Sequence, residues 1–321
     1  MSRGEVEVNQ RAGLADDHAR MPRHQPVAVA CRRAARFAGS ELISDPYRYV
    51  VSPPSYLDPH YLLNPWMAWH EALDRRLALR QWEELCLAVE DRGAGIEVLP
   101  PRPEATAMTY TRDASVVLPN GEVLILLNDG PRSTSEPQIV ARWLAEKGMA
   151  AIFLPQPHRL DGGNILRCSD GRWLVGLKPG GDRGGAHYFG GLVRRHGAEC
   201  VGIPLADPAF VHLDLVMADL AGRGWLVYRS GLAEPDLAHP RWRAVLGDRP
   251  VIEVERDEAY RLACNVLVIG DAVLGCGLTP RLCRAIEGLG LEPVEVDLSE
   301  FRKGGGGVHC LTQELSYKEA A

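Results

Sequence analysis

Apolar positions along this chain recur in two periods, and the way the two alternate predicts an architecture. Between residues 69 and 91, Leu73, Leu77, Trp82, Leu85 and Val89 fall at helical spacing, the pattern stops at Gly93, and an apolar strand is expected at 96–99. The same succession, a helix ending in glycine and then a short apolar strand, returns four times. Gly148 precedes a strand at 152–155, Gly197 one at 201–204, Gly247 a fainter one at 251–254, and Gly290 one at 293–297. These landmark glycines stand roughly 40 to 55 residues apart, the range of repeated supersecondary units. Further strand-like pieces lie at 47–51, 114–118, 123–127, 164–167, 173–177, 225–228 and 266–269. Each unit therefore holds several strands and one helix. Five such α/β units cannot each bury a core alone, so they are expected to pack around a common centre on which their strand-ending loops converge.

Composition narrows the function classes. The 321 residues carry a net charge of −6 with mixed signs, and no Lys/Arg stripe dominates a periodic segment, which sets nucleic acid aside as a partner. No apolar run is long enough to span a membrane, and the N-terminus has no apolar signal-peptide core. A cytoplasmic protein with reduced thiols is expected. The eight cysteines include no C-x-x-C pair, which argues against zinc and against a disulfide framework. Neither G-x-G-x-x-G nor G-x-x-x-x-G-K-[ST] opens a helix after a strand. No cofactor or metal is expected. Residues 1–40, rich in Arg, Ala and His without periodicity, are expected to form a mobile leader, and 41–321 a single catalytic domain.

The oddest stretch is Lys303-Gly304-Gly305-Gly306-Gly307-Val308-His309-Cys310-Leu311-Thr312. Four consecutive glycines suggest a sharp bend or a close approach of the main chain. Cys310 directly behind them is either a reactive thiol or a small buried hydrophobe. Three other polar groups sit at strand ends: Tyr110-Thr111-Arg112-Asp113, Leu160-Asp161-Gly162-Gly163-Asn164, and Val211-His212-Leu213-Asp214, whose polar pair would share a face if extended. Singly, Asp113 and Asp161 read equally well as turn residues and His212 as a structural histidine.

In order, T-R-D, D-G-G-N, H-L-D and G-G-G-V-H-C-L-T resemble the guanidine-modifying enzymes of the pentein fold. These include arginine and agmatine deiminases, dimethylarginine dimethylaminohydrolases, arginine dihydrolases and amidinotransferases. The resemblance covers residues 50–315. It implies a five-bladed α/β propeller of five pseudo-repeated ββαβ-type units around a central active site, and an arginine-like guanidine as substrate. By the same resemblance Cys310 is the nucleophile, His212 the acid and base, Asp161 its orienting carboxylate, and Asp113 and Asp214 the guanidinium clamps. Asn64 and Arg112 are further substrate-binding candidates, Gly306 and Gly307 are expected to keep Cys310 accessible, and a homo-oligomer is possible. His309 is left outside the chemistry because strand alternation would turn it away.

Departures from family patterns bear on the reaction. Many deiminases carry Glu in place of Asp161, and often Asp in place of Asn164. The segments Leu63-Asn64-Pro65-Trp66-Met67 and Ala263-Cys264-Asn265-Val266 are similar to arginine dihydrolases, yet those enzymes have Asn in place of Asp113. A hydrolase that acts once on the guanidine is therefore the expectation. The alternatives are an amidinotransferase and a non-catalytic pentein-fold binding protein.

Overall fold

The computed structural model describes residues 47–58, 72–128 and 135–316. All belong to a compact unit spanning Gly39–Ala321. The expected leader at 1–40 and the candidate Asn64 lie outside the described residues.

The described strands form five three-stranded sheets. β1 (Arg48–Val51) lies parallel to β2 (Gly95–Val98), with helix α1 (Arg75–Glu90) between them in sequence. The next four units follow one plan, an antiparallel hairpin, a crossover helix and a third strand parallel to the second. They are β3 (Ser115–Val117), β4 (Val123–Ile125), α2 (Glu136–Glu146) and β5 (Ala151–Phe153); then β6 (Ile165–Arg167), β7 (Trp173–Leu177), α3 (Arg183–Arg195) and β8 (Cys200–Pro204). β9 (Met217–Asp219), β10 (Trp225–Val227), α4 (Pro240–Leu246) and β11 (Val251–Glu253) come next. After α5 (Arg256–Ala259) follow β12 (Leu267–Ile269), β13 (Ala272–Gly275), α6 (Pro280–Glu287) and β14 (Glu292–Glu295). Past α7 (Ser299–Lys303), the last strand β15 (Gln313–Glu314) returns to β1, pairing antiparallel with Tyr49 opposite Glu314 and Val50 opposite Gln313. The first blade is thus made from both ends of the described chain; the five units are those the repeat predicts, and their arrangement as a five-bladed ββαβ propeller is the one the family resemblance implies.

Local chemistry explains the blades. Gly93, Gly148, Gly197, Gly247 and Gly290 all have φ between 63° and 82°, the left-handed conformation that ends a helix at little cost only without a side chain. The first helix begins at Arg75, later than residue 69, because the Asp74 carboxylate accepts from the backbone N–H groups of Arg76 and Leu77 at 2.9 and 3.0 Å. β9, β13 and β15 have two to four residues each, too short for a period of two to declare itself. Neighbouring blades share cores. Leu124 of β4, Trp173 and Val175 of β7 and Phe189 of α3 belong to one buried cluster, with the Trp173 and Phe189 rings edge to face at 5.6 Å. Val50, Val123, Ile125 and Trp143 form another, between the first two blades. Each fully buried large side chain contributes about 1.5–3 kcal/mol, obtained only when the neighbouring blade is present. Among the described residues, no helix is long and apolar enough to cross a membrane.

Candidate active site

Each blade enters its hairpin through a tight turn, and these turns supply the polar groups of the centre. Tight 3-10 turns at Thr111–Ala114, Gly162–Asn164 and Leu213–Leu215 precede β3, β6 and β9. Asn265 stands two residues before β12, and Cys310 three before β15. All five sequence candidates with an ionisable chemical role are brought together here. Asp113, Asp161, His212, Asp214 and Cys310 are each 7% exposed or less.

His212 lies between two carboxylates. Its Nε2 is 3.5 Å from Asp161 Oδ2 and its Nδ1 3.7 Å from Asp113 Oδ1. Burial works against a charged imidazole, but Asp113 and Asp161 outweigh it and hold His212 up to about 9. Burial likewise disfavours the Asp161 carboxylate, yet His212, the Lys178 ammonium at 3.4 Å and the Asn128 amide at 2.9 Å hold it below the usual carboxylate range. At neutral pH this is an ion pair of imidazolium and carboxylate. Asp113 Oδ1 also accepts the Gly163 N–H at 3.1 Å, and Asn128 donates to the Asp113 carbonyl at 2.8 Å.

The thiol faces the same carboxylates. Cys310 Sγ is 3.8 Å from Asp214 Oδ2 and receives the Asn265 side-chain N–H at 3.2 Å, while the Cys310 N–H donates to Asn265 Oδ1 at 3.2 Å. Burial and the charges of Asp214 and Asp113 push the thiol well above its ordinary value, so the resting nucleophile is protonated. Asp214 Oδ2 bonds His309 Nδ1 at 2.8 Å, and its Oδ1 is buried without a partner among the described residues.

Two expectations change, and the surroundings of a third candidate are now visible. His309 does not sit on an alternating strand: residues 308–311 form a turn and β15 starts only at Gln313, so its ring reaches Asp214. Nor do the glycines expose Cys310, which is 4% exposed. A Cβ on Gly306 would strike the Tyr110 ring, and one on Gly307 would lie 2.8 Å from Cys276 Sγ and 2.9 Å from Asn265 Oδ1; the run lets the chain pack tightly behind the thiol. Finally, the Arg112 guanidinium is buried and donates from Nη2 to the Ile165 carbonyl at 2.5 Å, and its backbone N–H bonds the Cys310 carbonyl at 3.1 Å. Burial disfavours its charge, and the carboxylates of Glu314, then Asp214 and Asp113, favour it.

Sequence reasoning gave no role to Asn265, Asn128, Lys178 and His309. A positional signal existed for Asn265, which holds in the fifth blade the pre-strand place that Asp113 holds in the second. Asn128 and Lys178 follow the middle strands β4 and β7, a position that carries no motif of its own. Among the described residues, no group of three or more His, Cys, Asp or Glu side chains is placed to hold a metal.

No protein-family model matches the chain. Among curated proteins, it is 28% identical over 280 residues to the bifunctional arginine dihydrolase/ornithine cyclodeaminase ArgZ of Synechocystis, a match that covers 85% of this chain and 38% of that protein. It thus spans well under half the length of that relative. The dimethylarginine dimethylaminohydrolase of Mycobacterium tuberculosis is 27% identical, with 84% and 85% covered. In structure, the N-terminal domain of ArgZ covalently bound to a reaction intermediate superposes with a TM-score of 0.76 at 26% identity, over 84% of this chain and 97% of that one. In both sequence and fold, the homologues of this chain are the guanidine-modifying enzymes of the pentein superfamily.

Proposed function

We propose that the protein is a cysteine-dependent hydrolase of the guanidino group of arginine or a close analogue. One observation carries the reading: a buried thiol, an imidazole held in its charged form and three carboxylates converge from four separate blades, and Asp214 Oδ1 among them is a buried acceptor without a donor among the described residues. A guanidinium is planar and cationic and offers paired N–H groups, which suits carboxylates at a bidentate site.

Asp113 and Asp214 hold the guanidinium plane, with its carbon against Cys310 Sγ. The arriving cation opposes the charges that keep the thiol protonated, so the thiol releases its proton to solvent as substrate binds, His212 being already charged. The thiolate forms a C–S bond to the guanidinium carbon, and the C–N bond to a terminal nitrogen breaks as the His212 imidazolium protonates the leaving amine. A water molecule then gives a proton to His212 while its oxygen attacks the thiouronium carbon. The C–S bond breaks, its electron pair returning to Cys310 as thiolate, and the hydroxyl proton passes to that thiolate as the ureido product forms, restoring the resting thiol. Asp161 orients His212 and balances its charge. Asn265, donating to Sγ, favours the thiolate once formed.

The test is incubation with arginine. Citrulline and ammonia in equal amounts, lost in Cys310→Ala, support single hydrolysis. Ornithine with a second equivalent of ammonia would mean a dihydrolase, and ornithine formed only when an acceptor amine is supplied would mean amidino transfer. No product from arginine, agmatine or a methylarginine would sink the guanidine reading.

A further inference from the structure

Every blade contributes to a second space within the ring. A cavity of about 360 Å³ is lined by Tyr49 of β1, Arg112 of the turn before β3, Leu166 of β6, Ala218 of β9, Val268 of β12 and Glu314 of β15, with others. Its volume lies in the range of small-molecule pockets. Cys310, His212, Asp113, Asp161 and Asp214 are not among its lining residues, so it is distinct from the thiol site.

The charges on its wall are unevenly satisfied. Asp219 is engaged by Arg249 at 3.0 Å, by the Ser169 hydroxyl at 2.9 Å and by the Gly222 N–H at 2.8 Å. Glu314 lies 3.7 Å from Arg167. Among the described residues, Arg112 makes a single side-chain hydrogen bond, to Ile165, while the charges of Glu314, Asp214 and Asp113 favour its guanidinium from nearby. It is 5% exposed, and its Nε has no partner among the described residues. A buried guanidinium with unmet donors is costly, and a carboxylate is the group that meets them best. Leu166, Val266 and Val268 give the rest of the wall an apolar character.

We propose that this cavity is a binding site for a small organic monocarboxylate with an apolar body, its carboxylate paired with Arg112. Two links tie it to the thiol site. His309 lines the cavity and holds Asp214 Oδ2 at 2.8 Å, and the Arg112 N–H holds the Cys310 carbonyl. A ligand on Arg112 that displaces either link alters the grip on the guanidinium. This coupling rests on the hydrolase reading above; the binding itself does not.

Sodium benzoate is a suitable probe, titrated calorimetrically into the full chain. Saturable binding of one benzoate per chain is expected. Val268→Trp, which fills the cavity from a partly exposed strand position, and Arg112→Gln, which removes the cation, should each weaken it about tenfold or more. Both variants are to be checked for an unchanged melting profile, and either alone suffices if the other fails to fold. Saturating benzoate should shift the KM for arginine by about twofold or more in the native protein and leave the KM of Val268→Trp unmoved. Absence of saturable heat, or equal affinity in the folded variants, overturns the site. Binding that obeys the variants without any change in KM overturns the coupling. Loss of all guanidine turnover would count against the hydrolase reading while leaving the calorimetric result intact.

Discussion

His309 Nδ1 lies 2.8 Å from Asp214 Oδ2, which leaves Asp214 Oδ1 as the buried oxygen with no partner among the described residues. One carboxylate thus has an oxygen fixed by the protein and another left for a cation. Burial and the nearby Arg112 charge lower the proton affinity of His309, so it acts as a neutral donor. His309→Ala should raise KM for the guanidine about ten- to hundredfold, the range for a hydrogen bond to a charged group, with a smaller change in kcat. An equal fall in kcat at unchanged KM would contradict a positioning role.

Gly163→Ala tests the placement of the imidazole. A Cβ there would stand 2.5 Å from His212 Nδ1 and 3.1 Å from Asp113 Oδ1, so His212 must move. Turnover should fall about a hundredfold or more, the contribution of a placed general acid and base, while circular dichroism shows the fold retained. Near-normal turnover in the folded variant would mean that His212 is not the acid.

The raised thiol and the raised imidazole set opposite limits on pH. With His212 held at about 9, the acid form persists through neutrality, and kcat/KM should fall as pH rises through that value. The sign for stability is the same. The folded value is above the ordinary one, so the contribution is full below about 6.5 and is lost as pH rises through about 9. Cys310 should react slowly with the neutral reagent iodoacetamide at pH 7.5. Asp214→Asn should speed that alkylation, because Asp214 raises the thiol, even as it removes guanidine turnover. Slower alkylation in Asp214→Asn would contradict this electrostatic account.

The repeat was legible because helix-ending glycines and apolar strands recur at each unit, and five positive-φ glycines confirm that the signal was geometric. The residues that converge at the centre were legible because they sit in motifs at strand entries, whose order resembles a known family. The strands of two to four residues were hidden, as no period fits into them. Asn128 and Lys178 were hidden for another reason: they reach Asp161 from the far ends of middle strands, and only closure of the ring brings those ends to the centre. His309 was misjudged because alternation was applied to a turn.

Asn265 connects the fifth blade to the nucleophile by two bonds, each of 3.2 Å. Asn265→Ala removes both and should reduce kcat about tenfold or more. Asn265→Asp keeps the acceptor but sets a negative charge against the thiolate, and should be the poorer enzyme at neutral pH. A more active Asp variant would show that the N–H to Sγ has no part in the reaction.

The most direct test is the mass of the intact protein quenched during turnover of arginine. Attack by Cys310 with loss of a terminal nitrogen predicts an increase equal to arginine less ammonia, located on the Cys310 peptide and absent in Cys310→Ser. An increase equal to the bare amidino group would instead show ornithine leaving first. Turnover with no adduct on Cys310, or undiminished turnover in Cys310→Ser, would contradict the account.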